Sequence, residues 1–382
     1  MVVAGVSTRA IAESAARAGF DVTAIDAFAD LDQHPGVRAL SLPRDFDVEF
    51  SAAAAARAAA SVDATAAAYV SNFENHPTAV EELGRGRSLW GNSPEVLRRA
   101  RDPWFITSAL RTHGLPALAL AAKSQTPNAK SQWNLAGSAW MIKPLASGGG
   151  HHVRPWVPGE PVPDRSYVQE LVDGVSGSIV FVAAKGRAVP LGVSRQIVGD
   201  RAFGSAGYRY CGNILASAGE PGFAADTRRM AQALADAVAA ECDLIGVNGI
   251  DFVVRDGLPY LVEVNPRWTA SMELVERAHG ISMFAVHADA CEAATLPPAF
   301  DDEARVRAEV VGKAIVFARH DVTIGDSRRW LADDSIRDVP HPGERIGGGR
   351  PVCTMLASGA NADACYDALV RRAQGIYREL GE

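Results

Sequence analysis

Apolar residues over the first 95 positions fall into two rhythms. VVAGV near the start, DVTAIDA at 21–27 and ATAAAYV at 64–70 are apolar runs of strand length, and Thr8–Ala18 carries helical spacing. The Ala-rich stretch 51–60 reads as another helix, since alanine is the best helix former. Such alternation predicts the βαβ opening of an α/β fold with a parallel sheet. The run ending at Ser71-Asn72-Phe73-Glu74-Asn75 would then offer a loop to a ligand at the sheet edge.

The pattern changes after residue 92. Asn92 and Ser93 can cap a helix starting at Pro94, and a short helix over 104–112 leads through HGLPALALA into a strand. From about 139 the apolar runs shorten and glycines thicken: AWMIKPLASGGGHHV, then RSYVQELVDGVSGSIVFVA, then SRQIVGDRAFGSAGYRY, which reads as a polar loop. A helix at 225–242 sets Met230, Leu234 and Val238 on one face. Helices at 272–279 and 282–293 precede the Pro-rich break TLPPAF, and the tail reads as strands VVGKAIVFA and PVCTMLASG and a helix at 361–380. The expected domains are a Rossmann-like unit over 1–92, a central unit over 93–298 with a lid at about 115–172, and a small α+β unit over 299–382.

Composition narrows the function classes. A 382-residue chain that is 48% hydrophobic can bury sizeable cores, and a net charge of −7 argues against a nucleic-acid surface, while leaving room for a local basic pocket for a phosphorylated ligand. Cys211, Cys242, Cys291, Cys353 and Cys365 are scattered, odd in number and never form a CxxC pair, which fits a reducing compartment. Neither a signal peptide nor an 18-residue apolar run is visible, so no membrane partner and a cytoplasmic location are expected. AGVSTRAIAESA tempts toward a dinucleotide loop with Asp26 as its acid, but Gly5 is followed by Ser7 and Ala10, so the GxGxxG pattern is missing.

Three stretches carry chemistry. In GIDFVVRDGLPYLVEVNPRW (249–268), two apolar runs flank Asp256-Gly257. A two-residue turn would put Asp251 opposite Val262 and turn Glu263 to the other face. A three-residue turn, Asp256-Gly257-Leu258, pairs Asp251 with Glu263 at a Cβ separation of about 4.5–5.5 Å, with Asn265 on the same face. The expectation is the three-residue turn, because two facing carboxylates and an amide suit a hard cation such as Mg²⁺. In MIKPLASGGGHHV, Lys143 ends a strand four residues before Ser147-Gly148-Gly149-Gly150, where glycine backbone can close on phosphate. The spacing is not that of a P-loop. YVQELVDG is a strand exit that can offer polar backbone to a base edge.

In this order, KP…SGGG, GIDFVV and EVNPR resemble the ATP-grasp superfamily over roughly residues 90–300. GNSPEVLRRARDP, NPRWTASMEL and GERIGGGRPVCTMLA further resemble a branch of ATP-dependent carboligases near the tyramine–glutamate ligase type. The resemblance implies an ATP-grasp fold behind a Rossmann-like domain. It also implies ATP and Mg²⁺ (or Mn²⁺) as cofactors and an amide formed from a small-molecule carboxylate and an amine through an acyl phosphate. Attachment of glutamate in making a methanofuran-like or pterin C1-carrier cofactor is the finer expectation. Lys143 would contact ATP, Ser147 through Gly150 would cover its phosphates, and Gln169, Glu170, Leu171 and Val172 would hold adenine, with Ser176 where a ribose-binding acid is usual. Asp251, Glu263 and Asn265 match the metal ligands, and Arg267 matches the arginine that steadies the transferring phosphoryl group. The lysine usual near the start of the 100s is missing, and Arg101 stands nearest its place. Arg195, Gln196, Arg209, Tyr210 and Trp268 are the expected substrate residues, His151 and His152 sit at the lid tip, and a homodimer is an expected assembly. Two alternatives share these residues: a bicarbonate-using ATP-grasp carboxylase, and a nucleotide-binding regulator without catalysis.

Overall fold

A computed structural model describes residues 1–121, 139–157, 159–215, 220, 222–298 and 309–381. Strands β1 (Val2–Ala4), β2 (Val22–Asp26), β3 (Val37–Ser41), β4 (Ala66–Tyr69) and β5 (Ser88–Trp90) form a parallel sheet in the order β3-β2-β1-β4-β5. The order reverses between β1 and β4, so the loops leaving those two strands open a crevice at their carboxyl ends. Gly5 sits where those loops meet, because a Cβ there would lie 2.1 Å from Val70 Cγ2. Asp26 is engaged locally. Its Oδ2 accepts from the Thr8 N–H and hydroxyl at 2.9 and 2.7 Å, and its Oδ1 accepts from the N–H groups of Phe28 and Ala29. The Ala-rich helix (Ala52–Ala59) packs almost wholly buried, its small side chains allowing close approach to the sheet.

Helices Pro94–Ala100 and Pro103–Thr112 follow, capped by Ser93 and Asp102. The stretch expected to be a lid holds, among the described residues, a four-stranded sheet of β6 (Leu120–Ala121), β7 (Ala139–Pro144), β8 (Arg154–Pro155) and β9 (Ser166–Leu171), around Trp140, Ile142, Trp156 and Val168. The largest sheet has eight strands. It holds β10 (Val175–Ala184), β11 (Arg187–Val198), β12 (Tyr210–Leu215), β13 (Gly246–Arg255) and β14 (Leu258–Asn265), and continues into the tail through β15 (Val310–Phe317). Beyond the small pair β16 (Val322–Thr323) and β18 (Arg345–Ile346), β17 (Ile336–Arg337) and β19 (Pro351–Gly359) complete it. The order is β14-β13-β10-β11-β12-β15-β19-β17, so the tail strands extend the central sheet. The stretch SRQIV, expected as loop, belongs to β11. Helix Ala225–Cys242 packs on one face of this sheet against Phe181, Ile250 and Phe252. Helices Ala270–His279 and Met283–Ala293 cover the other face, against Val180, Val182 and Leu191. No described helix is long and apolar enough to cross a membrane.

Candidate active site

The hairpin β13–β14 builds the site floor by a route different from the expected one. Arg255 pairs with Leu258, so the turn is the two-residue Asp256-Gly257, both with positive φ (53° and 77°). That is the turn whose twist suits tight hairpins. By itself it would set Asp251 against Val262. The ladder shifts by one residue between Phe252↔Leu261 and Asp251↔Glu263, leaving Val262 as a bulge. The bulge brings Asp251, Glu263 and Asn265 onto one face, while Leu261 and Val264, three apart, both reach the core. Asp251 and Glu263 thus face each other through the bulge, not through a longer turn.

The bulge also fixes the lysine. Lys143, from β7 of the lid and only 7% exposed, donates from Nζ to the Val262 carbonyl oxygen at 2.8 Å. Asp251 accepts from Gln196 Nε2 at 2.8 Å and from Asn265 Nδ2 at 2.9 Å. Arg267 donates to Asn265 Oδ1 at 3.1 Å and to the Trp268 carbonyl at 3.0 Å, and pairs with buried Glu74 at 2.8 Å. Arg101 joins four elements. It donates to Glu263 Oε1 at 2.5 Å, to the Val264 carbonyl at 2.9 Å, to Asn75 Oδ1 at 3.1 Å and to the Ser147 carbonyl at 2.8 Å.

The two facing carboxylates ionise differently. Burial and the charge of Glu263 push the Asp251 carboxyl up to about 7, against the opposing pull of Asn265, Arg267 and Gln196. Burial also works against ionisation of Glu263, but Arg101, Lys143 and Arg267 hold its carboxyl below the usual range.

The glycine loop is held from both sides. A Cβ on Gly150 would lie 1.8 Å from the Tyr208 carbonyl oxygen, and Gly149 accepts from the Tyr210 N–H at 3.1 Å. Gly150 has a φ of +76°, so glycine is required twice over. Gln169, Glu170, Leu171, Val172 and Ser176 line the same cavity. Glu170 accepts from the Ala119 N–H at 3.2 Å, while the buried Gln169 Oε1 has no partner among the described residues.

Of the expected substrate residues, Gln196, Arg209, Tyr210 and Trp268 line the cavity; Tyr210 donates to Asn213, and Trp268 is also packed in the core. Arg195 does not belong there. As the neighbour of Gln196 on a strand it points to the opposite face, where it meets Glu220 at 3.7 Å and Asp363 at 3.9 Å. His151 and His152 are exposed at the cavity edge. The loop expected to face a ligand does reach the cavity, through Ser71, Asn72, Glu74 and Asn75, while sequence reasoning missed Ser178, Asn213 and Lys313 on the same wall. The signal for Ser178 and Asn213 was alternation: each is a polar residue inside an apolar strand run.

Together these residues bound a cavity of about 1620 Å³ between the parallel sheet, the lid and the central sheet. Residues 100–271 match the family model of the ATP-grasp domain. This stretch is an ATP-grasp domain. Its two carboxylates, strand lysine and glycine loop all lie within the matched span. An uncharacterised protein of Methanocaldococcus jannaschii is 30% identical over 115 residues, 30% of this chain and 27% of that protein. Among solved structures, Rhizobium etli pyruvate carboxylase aligns with a TM-score of 0.73 at 16% identity, over all of this chain and 39% of that one. The chain thus spans well under half of either protein. An L-amino acid ligase of Bacillus licheniformis aligns with a TM-score of 0.65 at 16% identity, covering 98% of this chain and 96% of that one. At such identities these structures share the ATP-grasp fold, with the Rossmann-like unit in front and the tail strands behind.

Proposed function

We propose that the protein is an ATP-dependent carboxylate–amine ligase that forms an amide through an acyl phosphate. The observation that carries this reading is the single polar face of β13 and β14, where Asp251, Glu263 and Asn265 lie beside Lys143 and Arg267 on the cavity floor. The family match and the fold shared with the L-amino acid ligase support it.

The donor set suits a magnesium ion. Among the described residues no group of three His, Cys, Asp or Glu side chains that could hold a metal comes together, so the third protein oxygen would be the Asn265 amide's. Two facing carboxylates, one with its carboxyl raised by the other, are the arrangement a hard cation relieves. Asn265 Oδ1 keeps a second lone pair beside its bond from Arg267. Bound there, Mg²⁺ (or Mn²⁺) would neutralise phosphate charge. The unpartnered Gln169 Oε1 suits the amino edge of a base.

The chain's own groups do the rest. A substrate carboxylate attacks the γ-phosphorus of ATP, ADP leaves, and the amine then displaces phosphate from the acyl phosphate. Charge builds on the transferring oxygens, and Lys143 and Arg267 supply fixed positive charge there. Glu74 orients the Arg267 guanidinium. Holding both reactants in one cavity removes much of the entropic cost of their meeting. Ser147–Gly150 and the lid shield the acyl phosphate from water. Glutamate as the carboxylate, joined to an aromatic amine or a cofactor tail, is the finer form of the proposal, with small-molecule partners and a homodimer.

The test is ADP release measured over a panel of amino acids and amines, with and without bicarbonate. Release that requires both an acid and an amine is the expected result. Release dependent on bicarbonate, or none at all, would remove the ligase reading.

A further inference from the structure

The tail motif GERIGGGRP (343–351) takes no part in the phosphate site, yet Arg345 and Arg350 from it line the same cavity. Arg345 lies in β18, paired with Thr323, and a glycine turn then leads to Arg350. Arg209 braces that turn. Its guanidinium donates to the Gly349 carbonyl at 2.8 Å and covers the Phe317 ring at 5.3 Å. Gly349 has a φ of +75°, and a Cβ there would meet Arg209 at 3.3 Å, so the turn is shaped to this contact. From the lid side His151 faces the same group: burial, then the charges of Arg209, His152 and Arg350, disfavour its imidazolium.

Arg209 and the two arginines of the tail motif, from two chain segments, therefore line the same cavity, with Arg209 and Arg350 both near His151. Carboxylates on that wall are engaged elsewhere: Glu344 accepts from the His341 N–H at 3.2 Å, and Asp338 from Arg9 at 2.8 Å. Glu49, on the first-domain side, is exposed. Arg345 and Arg350 are themselves exposed, with no carboxylate partner among the described residues. The cavity, at about 1620 Å³, exceeds the roughly 300–1,000 Å³ of a pocket for one ligand, which leaves room beyond a nucleotide.

We infer that Arg209, Arg345 and Arg350 form a subsite for an anionic group, a phosphate ester or a carboxylate, carried by the second substrate at the end remote from its reacting atom. Guanidinium forks match both anions in bidentate geometry. Only the word "substrate" rests on the ligase reading; the anion site itself does not.

Calorimetric titration tests it with inorganic phosphate and with tricarballylate, each with and without a non-hydrolysable ATP analogue and Mg²⁺. The proteins are the unaltered chain, the Arg345→Gln/Arg350→Gln double variant and Arg350→Lys. An anion should bind the nucleotide-loaded protein, bind at least tenfold more weakly to the double variant, and recover partly in Arg350→Lys. Preference for phosphate or for tricarballylate identifies the source of the charge. Absence of anion binding, equal binding by the double variant, or competitive displacement by the nucleotide analogue would each overturn the inference. If the analogue itself fails to bind, the ligase reading falls, and the titrations without nucleotide still decide the subsite.

Discussion

Glu273, buried, and Asp251, half-buried, are carboxylates close to one cavity, and their surroundings drive them in opposite directions. Glu273 bonds Arg9 at 2.9 Å and Lys313 at 2.6 Å. Burial opposes its ionisation, but Arg9, Lys313 and Arg277 hold its carboxyl far below the usual range. Arg9 further binds Asp338 at 2.8 Å, Glu13 at 3.1 Å and Asp32 at 3.5 Å, tying the first domain to the tail. Asp30, at the same junction, has its carboxyl pushed well up by burial and then by Asp338, Asp26 and Asp32, against the pull of Arg9. Asp251 has amide donors and a facing carboxylate, and its carboxyl rises to about 7. Perturbed ionisation alone therefore does not mark a functional group. The ion-paired cluster holds domains together; the facing carboxylates are where the proposed cation would bind.

The contrast can be broken in four ways, from the largest effect down. On the ligase reading Glu263 would hold the metal and Arg267 would face the transferring phosphoryl group. Glu263→Gln or Arg267→Ala should therefore lower turnover by about a thousandfold or more, with a far-UV circular dichroism spectrum showing the fold kept. Near-normal activity in either variant would dissolve the site.

Arg9→Met attacks the ion-paired cluster instead. It removes the cation paired with Asp338 and Asp32, leaves Glu273 to Lys313 and Arg277, and should cost about 3–5 kcal/mol of stability in urea unfolding. A loss below about 1 kcal/mol would mean the junction is not an ion-paired network.

The third test is pH. The Asp251 carboxyl is higher in the folded chain than in the unfolded one, so without metal its contribution to stability is full below pH ~4 and is lost as pH rises toward 7. A cation needs the deprotonated form, so the rise in melting temperature on adding Mg²⁺ should be larger at pH 8 than at pH 6. Asp251→Asn should abolish that difference. Glu273, held below its unfolded value, stays ionised throughout this window and adds no slope there. A Mg²⁺ effect independent of pH would sink the assignment. Gly257→Ala, at a φ of 77°, should cost only about 1–2 kcal/mol and leave turnover unchanged.

What the sequence disclosed was whatever repeats locally. Helix Ala225–Cys242 was legible because its apolar face recurs every turn, and the hairpin because two apolar runs flank Asp-Gly. The bulge at Val262 was written there too. Leu261 and Val264 break the alternation that Ile250, Phe252 and Val254 keep, but a turn-based count of register passes over the break. The same alternation separates Arg195 from Gln196, which cannot both face one site on an extended strand. The Glu74 loop was legible as facing a ligand, but its pairing with Arg267 was not, nor was Lys313, because these partners meet only after segments nearly 200 and 40 residues apart are folded together.

The bulge has a further consequence for how this hairpin can change. Because the alternation is reset at Val262, the ladder from Glu263 to Asn265 takes its facing from the bulge rather than from the tip. The tip is fastened separately, by Thr227 donating to the Gly257 carbonyl at 2.9 Å. Residues can thus be gained or exchanged at 256–257 without rotating the catalytic face, which makes that turn a natural point for lineage divergence or for splicing in a reporter peptide.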